Sequence, residues 1–598
     1  MYLSLLKTWC NKLLELQIKE IKNPKLFGGI LCPSCGRIHG RSADAIYPLL
    51  YLADKTGEEK YLTGAKNVFL WSEKNMVRPD GSYVNDTNHD WQGITVFAAI
   101  AIGESLYSYG HLLDEATRTL WTERLRIAMD FLYDFIDVVK TNVNYPITCA
   151  AAMAIAGRYL KDDRYREKSK KLAEKALHAF TEDGFIFGEG SHETVVTKKN
   201  CRPVDVGYNV EESLCALALY TSIEKDEALL SKLLFSMETH LEFMLPDGGW
   251  DNSWGTRSNK WTYWGSRTSD GCQVAYGLLA DKNPAFSEAV YRNTKLMEAC
   301  THEGLLHGGP MYHSAGEPPC VHHTFTHAKA LATILSHGIT PKGKGKLPRD
   351  EEKAASYYPS IDTYLVSVGD WRGTLTGYDY DYVYEGHATG GALTMLYHMK
   401  LGPLSAASMT SYSFVEPNNM QLPQYYENIC QTIRIEYEKD GVFYRSINDK
   451  TAVLSCREEK EKTIFSAKGI LKDGNQGGEK AYTISYIFEK EKVIIEAKSE
   501  AEGAVLIIPV ISQNDEPFGK KKEGSYFIQK PVGTLSIQSH GDLFLLEKPK
   551  PQRTDVYIGK TDRQNTRNFH PVGGFETLVF QVAMKGKAEV VLEVGEER

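Results

Sequence analysis

No run of about 18 consecutive apolar residues, the length a helix needs to cross a bilayer, occurs in the sequence, so no helical membrane span is expected. The first residues, MYLSLLKTWCNKLLELQIKEI, alternate apolar and charged positions and lack a small-residue cleavage site. That pattern predicts an amphipathic helix and not a secretory leader. Basic charge is not in excess: 69 Lys and Arg against 77 Asp and Glu give a net charge of −8, which argues against a general nucleic-acid binder. An acidic ligand held by a few local cations is still compatible. A disulfide framework is missing too. The eleven cysteines are odd in number and mostly isolated in apolar helical patterns, as at Cys149, Cys215 and Cys272, which is how reduced core thiols are placed. The compartment is therefore open: cytoplasmic, or exported if a leader was removed.

At 598 residues the chain is too long for one hydrophobic core and should divide into several domains. The apolar pattern has helical period from residue 1 to about 340. From about 425 it has period two, as in YTISYIFEKEKVIIEAKSE at 482–500 and GGFETLVFQVAM at 573–584. We read an α+β multidomain chain: a helical domain over 1–340, a linker over 341–360 that includes KGKGK, and an antiparallel β-sandwich over 361–598.

The helical half holds a weak repeat. Six segments share one plan, a polar or glycine-rich approach followed by a small-residue apolar helix: 39–53, 91–110, 144–160, 207–223, 270–280 and 322–335. Their spacing of roughly 50 to 65 residues suits one helical hairpin each. Charged amphipathic helices such as DDRYREKSKKLAEKALHAF (162–180) lie between them. Helices apolar nearly all round are buried and those with one charged face lie outside. Six inner and six outer helices predict an (α/α)6 toroid. Pro48 and Pro146 suit a first helical turn, where a missing N–H costs nothing, and so place His39, Arg41, Asp44 and Asn144 at inner-helix N-termini. Those ends should converge on one face and favour an anionic ligand there.

Eight of nine Trp and thirteen of seventeen His precede residue 340, many in these approach loops, so binding chemistry is expected in the helical half. The loop at 247–271 carries Trp250, Trp254, Trp261, Tyr263 and Trp264 among Asp, Asn and Arg residues including Arg267. Flat aromatic faces beside hydrogen-bonding groups suit a pyranose ring; the alternative is a loop whose aromatics pack beneath the toroid. His322 and His323 open the sixth inner helix, with His327 four residues on. They could supply a base, bind a metal, or serve only as satisfied helix-start histidines. His39 and Arg41 precede the first inner helix, His89 and Trp91 the second. Asn144 opens the third, Tyr208 the fourth, and GFIFGEGSHETVV (184–196) brings Glu189 and His192 toward that fourth helix. CPSCGRIH at 32–39 sets Cys32 and Cys35 at metal-ligand spacing near a histidine. A structural zinc or other divalent ion there would need a ligand from elsewhere, around Cys320; the alternative is a reduced turn.

Together these features resemble polysaccharide lyases of the heparinase II/III-like and alginate-lyase-like kind, over nearly the whole chain at the level of architecture. At motif level, DGFIFGEGS (183–191) ahead of Gly207-Tyr208 is similar to the stretch that precedes such a family's catalytic Tyr. Asn144 matches an Asn at an earlier inner helix, and the passage 369–398 looks like the start of a β-domain that lends a Tyr or His to the cleft. The segment SHETVVTKKNCRPVDV before Tyr208 is a departure from that pattern in its length. The resemblance implies β-elimination on an acidic oligo- or polysaccharide, and a periplasmic or secreted location if a leader was removed. No cofactor is required for that chemistry. The C5 proton of a uronate is too weakly acidic unless the adjacent carboxylate is neutralised, a task for Asn144, Arg41 and Arg267. Tyr208 would serve as acid, and as base as well, with His192, His322 or His323 as alternative bases. His39, His89, Trp91, Tyr263 and Trp264 would bind the sugar. Two rival readings stand beside this one. A glycoside hydrolase on the same toroid would use paired carboxylates drawn from Asp44, Asp90, Glu189, Glu211, Asp251 and Asp270. A non-catalytic glycan-binding protein would need only the aromatic platforms.

Overall fold

A computed structural model describes the chain except residues 21, 34–35, 86–89, 191–195, 259–262, 264–269, 315, 317–318, 381–386, 410–411, 417–418, 422–428, 514, 547–564, 568–574 and 596–598. Among the described residues, thirteen helices occupy the first half: α1 Tyr2–Leu16, α2 Ile46–Thr56, α3 Glu59–Asn75, α4 Thr95–Tyr109, α5 Glu115–Val138, α6 Asn144–Leu160, α7 Asp163–Ala176, α8 Val206–Tyr208, α9 Leu214–Glu224, α10 Glu227–Leu241, α11 Gln273–Leu278, α12 Pro284–Ala299 and α13 Val321–Ser336. A π-turn, Asn209–Ser213, joins α8 to α9 as one continuous rod.

Packing follows side-chain size. Helices α2, α4, α6, α9, α11 and α13 are lined with Ala, Leu, Ile and Cys and touch one another in sequence order, and α13 closes back on α2. In α6 every residue from Ile147 to Gly157 is buried. The charged helices α1, α3, α5, α7, α10 and α12 each back one inner helix, so six inner helices are ringed by six outer ones. Asp114, Asp162, Asp226 and Asn283 cap the outer helices α5, α7, α10 and α12 with side-chain acceptors, whereas α2, α4, α6, α11 and α13 begin with no side-chain cap, and at α6 the Asn144 N–H turns to Glu189 instead.

The second half is antiparallel throughout. A five-stranded sheet (Lys353–Tyr358, Thr363–Val368, Trp371–Thr376, Ala392–His398, Gly402–Ala406) lies against the helical ring. An eight-stranded sheet and a second five-stranded sheet follow. In the eight-stranded sheet, Phe465 pairs with Tyr486 and Ala467 with Ile484 on the inner face. These residues share one core with Leu506, Ile508, Leu578 and Phe580 of the five-stranded sheet, which makes a sandwich. The stretch read from sequence as a linker, 341–360, holds the 3₁₀ turn Pro348–Asp350 and the strand Lys353–Tyr358. The strands behind it give no period-two signal because they are covered on both sides: all six residues of Trp371–Thr376 are buried.

Candidate active site

The 3₁₀ turn Gly40–Ala45 feeds α2 and carries Arg41 and Asp44 inward. Arg41 donates from Nε to Asp44 Oδ2 at 2.8 Å and from Nη2 to Asp270 Oδ1 at 2.6 Å. Lys329 of α13 donates to Asp44 Oδ1 at 2.7 Å. Burial pushes the Asp44 carboxyl up, but Arg41 and Lys329 outweigh it and hold it below its ordinary value. Two cations and two carboxylates so compensate one another, with the Arg41 guanidinium 3.7 Å above the ring of Phe97.

Beside this group the π-turn brings in Glu211 and Glu212. A regular helix would turn neighbouring residues about 100° apart; the wider turn lets both carboxyls be buried, and π-turns of this kind recur at functional sites. Glu212 accepts a 2.5 Å hydrogen bond from Asn144 Nδ2. Burial, reinforced by the charge of Asp270, pushes Glu212 up to about 8. Glu211 is raised by burial as well, and its Oε1 lies 3.9 Å from His327 Nε2. The Asn144 backbone N–H donates to Glu189 Oε1 at 3.1 Å, and Glu189 Oε2 lies 3.4 Å from Arg257 Nη2. Arg257 in turn stacks its guanidinium 4.3 Å over the ring of Tyr208.

Tyr208 is fixed from below. Asp205 caps α8, accepting from Tyr208 N–H at 3.1 Å, from Asn252 Nδ2 at 2.9 Å and from Arg257 N–H at 3.0 Å. The opposite wall is the first turn of α13. The imidazoles of His323 and His327 are 4.4 Å apart, and those of His39 and His322 are 5.6 Å apart. Burial first, then Arg41, pushes His322 well below its ordinary value, which disfavours its protonated form. Trp91 meets Tyr145 edge-on at 5.1 Å, and Tyr145 meets Phe97 at 6.1 Å, so the aromatic approach to α4 joins the same site.

Four inner helices therefore deliver carboxyl, amide, imidazole and phenol groups to neighbouring buried networks, beside a cavity lined by Glu211, Glu212, Asp270 and Lys329. The sequence matches the ulvan lyase N-terminal domain over residues 6–351 and the ulvan lyase C-terminal domain over residues 355–595. The chain belongs to the ulvan lyase family. Over 596 residues, 97% of this chain and 91% of the other, it is 42% identical to the broad-specificity ulvan lyase of Formosa agariphila. Among solved structures, the chondroitin AC lyase of Streptomyces coelicolor A3 has a TM-score of 0.55 at 12% identity, covering 100% of this chain and 80% of that one. A xanthan lyase of Paenibacillus has a TM-score of 0.57 at 11% identity, covering 100% of this chain and 57% of that one. These two share the fold. The protein is a polysaccharide lyase that cleaves a uronic-acid-containing glycan by β-elimination, and the hydrolase and pure binding readings fall away.

Of the residues singled out from sequence, Asn144 and Tyr208 are linked through Glu189 and Arg257, Arg41 lies within electrostatic reach of His322 and of Glu212, His323 follows on α13, and Trp91 packs on Tyr145. His39 turns elsewhere: its Nε2 lies 3.5 Å from Cys320 Sγ, and Cys320 Sγ lies 3.8 Å from Cys32 Sγ. All three are buried, with donor atoms within 4.8 Å of one another. Tyr263 is no sugar platform. It is 1% exposed, donates its hydroxyl to Asp247 at 2.6 Å and packs on Phe575 of the β-half. Trp250 and Trp254 from the same loop are core residues as well. Arg41 sits in the site, but its Nε and Nη2 are taken by Asp44 and Asp270. His89, His192, Trp264, Arg267 and Cys35 lie outside the described residues. Sequence reading passed over Arg257, Glu212 and Lys329. The adjacent carboxyls in the apolar helix GYNVEESLCALALY were a usable signal; Arg257, one charge in a long loop, gave none.

Proposed function

We propose that this lyase acts on ulvan or a closely similar uronate polymer, and that Tyr208 is its proton donor. Full-length identity to a broad-specificity ulvan lyase carries the substrate reading. The pocket supports the roles. The Asn144 amide polarises the uronate carboxylate, making the C5 proton acidic. An imidazole, His322 or His323, takes that proton, with Tyr208 itself or His192 as the alternative base. The electron pair forms the C4–C5 double bond as the C4–O bond breaks, and Tyr208 protonates the departing oxygen. Trp91, His89, Trp264 and Arg267 are assigned to sugar binding. Incubation with ulvan should produce the ultraviolet absorbance of a conjugated unsaturated uronate. Tyr208→Phe should lower kcat by about 10²–10⁴-fold with little change in KM. Full activity in that variant would remove Tyr208 from the chemistry.

The buried trio Cys32, His39 and Cys320 fits a structural zinc ion. A tetrahedral zinc with Zn–S near 2.3 Å and Zn–N near 2.0–2.1 Å sets its sulfurs about 3.8 Å apart and each sulfur about 3.6 Å from the nitrogen. The separations of 3.8 and 3.5 Å between these donors meet that requirement. Cys35, in the same CPSC turn, is the natural fourth ligand. The ion would tie the approach to α2 to the start of α13 and so hold His322 and His323 in place. Elemental analysis should find zinc in the purified protein and lose it in Cys320→Ser. Equal zinc in both would refute the site.

A further inference from the structure

An aromatic row leads outward from the site. Tyr145, next to Asn144, meets Trp91 edge-on at 5.1 Å, Trp91 meets Phe135 at 6.2 Å, and Phe135 stacks on Phe131 at 4.8 Å. At the inner end Tyr145 meets Phe97, which lies under the Arg41 guanidinium. Phe97 is buried, whereas Tyr145, Trp91, Phe135 and Phe131 are each partly exposed. Chain order puts the row at the site end of the ring. Phe131 and Phe135 occupy the last two turns of α5, and the five residues 139–143 connect that end directly to Asn144.

Three observations set this row apart from ordinary packing. Helix α5 already covers the core with Trp121, Leu125, Met129 and Leu132, all buried. Phe131 and Phe135, four residues apart and so on one face, lie at the margin of that stripe and are left partly in water. The plane of Trp91 is also fixed. A Cβ at Gly93 would lie 2.5 Å from Cζ2 of the indole, so only a glycine lets the ring rest on the backbone there. Finally, Lys140, on the connector between α5 and α6, is exposed and pairs with no carboxylate among the described residues.

We propose that Phe135 and Phe131 extend the sugar contact of Trp91 into a distal subsite, which holds the stretch of acidic glycan beyond the reacting uronate. The inference rests on the uronate-polymer substrate proposed above. Its occupant follows from continuity: a chain engaged at Asn144 and passing over Tyr145 meets this row next. Partly exposed aromatic rings suit the apolar C–H faces of pyranoses, and Lys140 supplies a cation for an acidic group on the same stretch. Binding far from the bond that breaks can be spent on positioning the bond that does, so the subsite favours long substrates over short ones.

Chain-length dependence tests it. Full-length protein is assayed by ultraviolet absorbance on ulvan and on the shortest ulvan oligosaccharide that the wild type cleaves, and the ratio of the two kcat/KM values is taken. Phe135→Ala and Phe131→Ala, with their folds checked by circular dichroism, should each lower that ratio by about 3- to 10-fold. Phe135→Trp, which keeps a flat ring, should restore most of it. Phe235→Ala, which removes an exposed aromatic of α10 outside the row, should leave the ratio at the wild-type value. A wild-type ratio in both alanine variants of the row would overturn the proposal, even if their activity fell on both substrates alike. Failure of the wild type to cleave ulvan at all would overturn the substrate reading, and this inference with it.

Discussion

Burial, with the charge of Asp270 beside it, pushes Glu212 up to about 8 against the opposing pull of Arg41 and of the Asn144 amide. A carboxyl whose pKa is raised by folding takes up protons as the chain folds. Its contribution to stability is fully present below the ordinary carboxyl range and is lost as pH rises through about 8. Thermal melts should therefore show the wild-type midpoint falling from about pH 5 to about pH 9, and a shallower fall in Glu212→Gln. Parallel curves would mean that Glu212 is ionised throughout. At this scale composition revealed less than it suggested. It pointed to helix starts that carry buried polar networks, Asn144 and Tyr208 joined through Glu189 and Arg257, and His322 beside Arg41. Yet it could not tell which way an aromatic faces: Trp250, Trp254 and Tyr263 sit in a sugar-like setting and are spent on the core. Nor could it foresee that Asp44 and Asp270 would occupy Arg41.

Among the elements, the rod made by α8, the π-turn and α9 is the one on which the site depends. Asp205 at its start gathers three buried donors, so it sets Tyr208 and Arg257 at once. Asp205→Ala should cost about 2–4 kcal/mol in chemical denaturation and reduce activity in the material that remains folded. Asp205→Asn, which keeps an acceptor at the same place, should recover part of both. An alanine variant as stable and active as wild type would show that the cap is dispensable. The inner helices were legible because a small-residue segment apolar all round has nowhere to go but inside. Strands 481–489 and 492–499 were legible because each has one covered face. Strands 371–376 and 392–398 show no such pattern, since strands wedged between ring and sandwich lose their alternation.

Across the whole molecule the two halves are joined by buried polar contacts and not merely abutted. Thr374 donates to Asp251, and Arg349 donates to the Gly373 carbonyl at 2.8 Å. Tyr378 donates to the Arg202 carbonyl at 2.6 Å and accepts from Val204 N–H at 3.0 Å, gripping the approach to α8. Ile361, Leu365, Tyr378 and Phe575 belong to the same core as the helices. Calorimetry should accordingly show one cooperative unfolding transition, and two well-separated transitions would mean that each half is stable alone.

Closure of the ring also sets a timetable for synthesis. Tyr2 of α1 hydrogen-bonds the Pro341 carbonyl, 339 positions later, and Trp9 bonds Thr301, 292 positions later. At about 5–20 residues per second, the first helix leaves the ribosome roughly 17–70 s before its partners exist. For that interval α1 has only α2 and α3 to pack on, and the part of its face that α13 covers stays open, so the nascent chain is most exposed to misassociation while the last hairpin is still being translated.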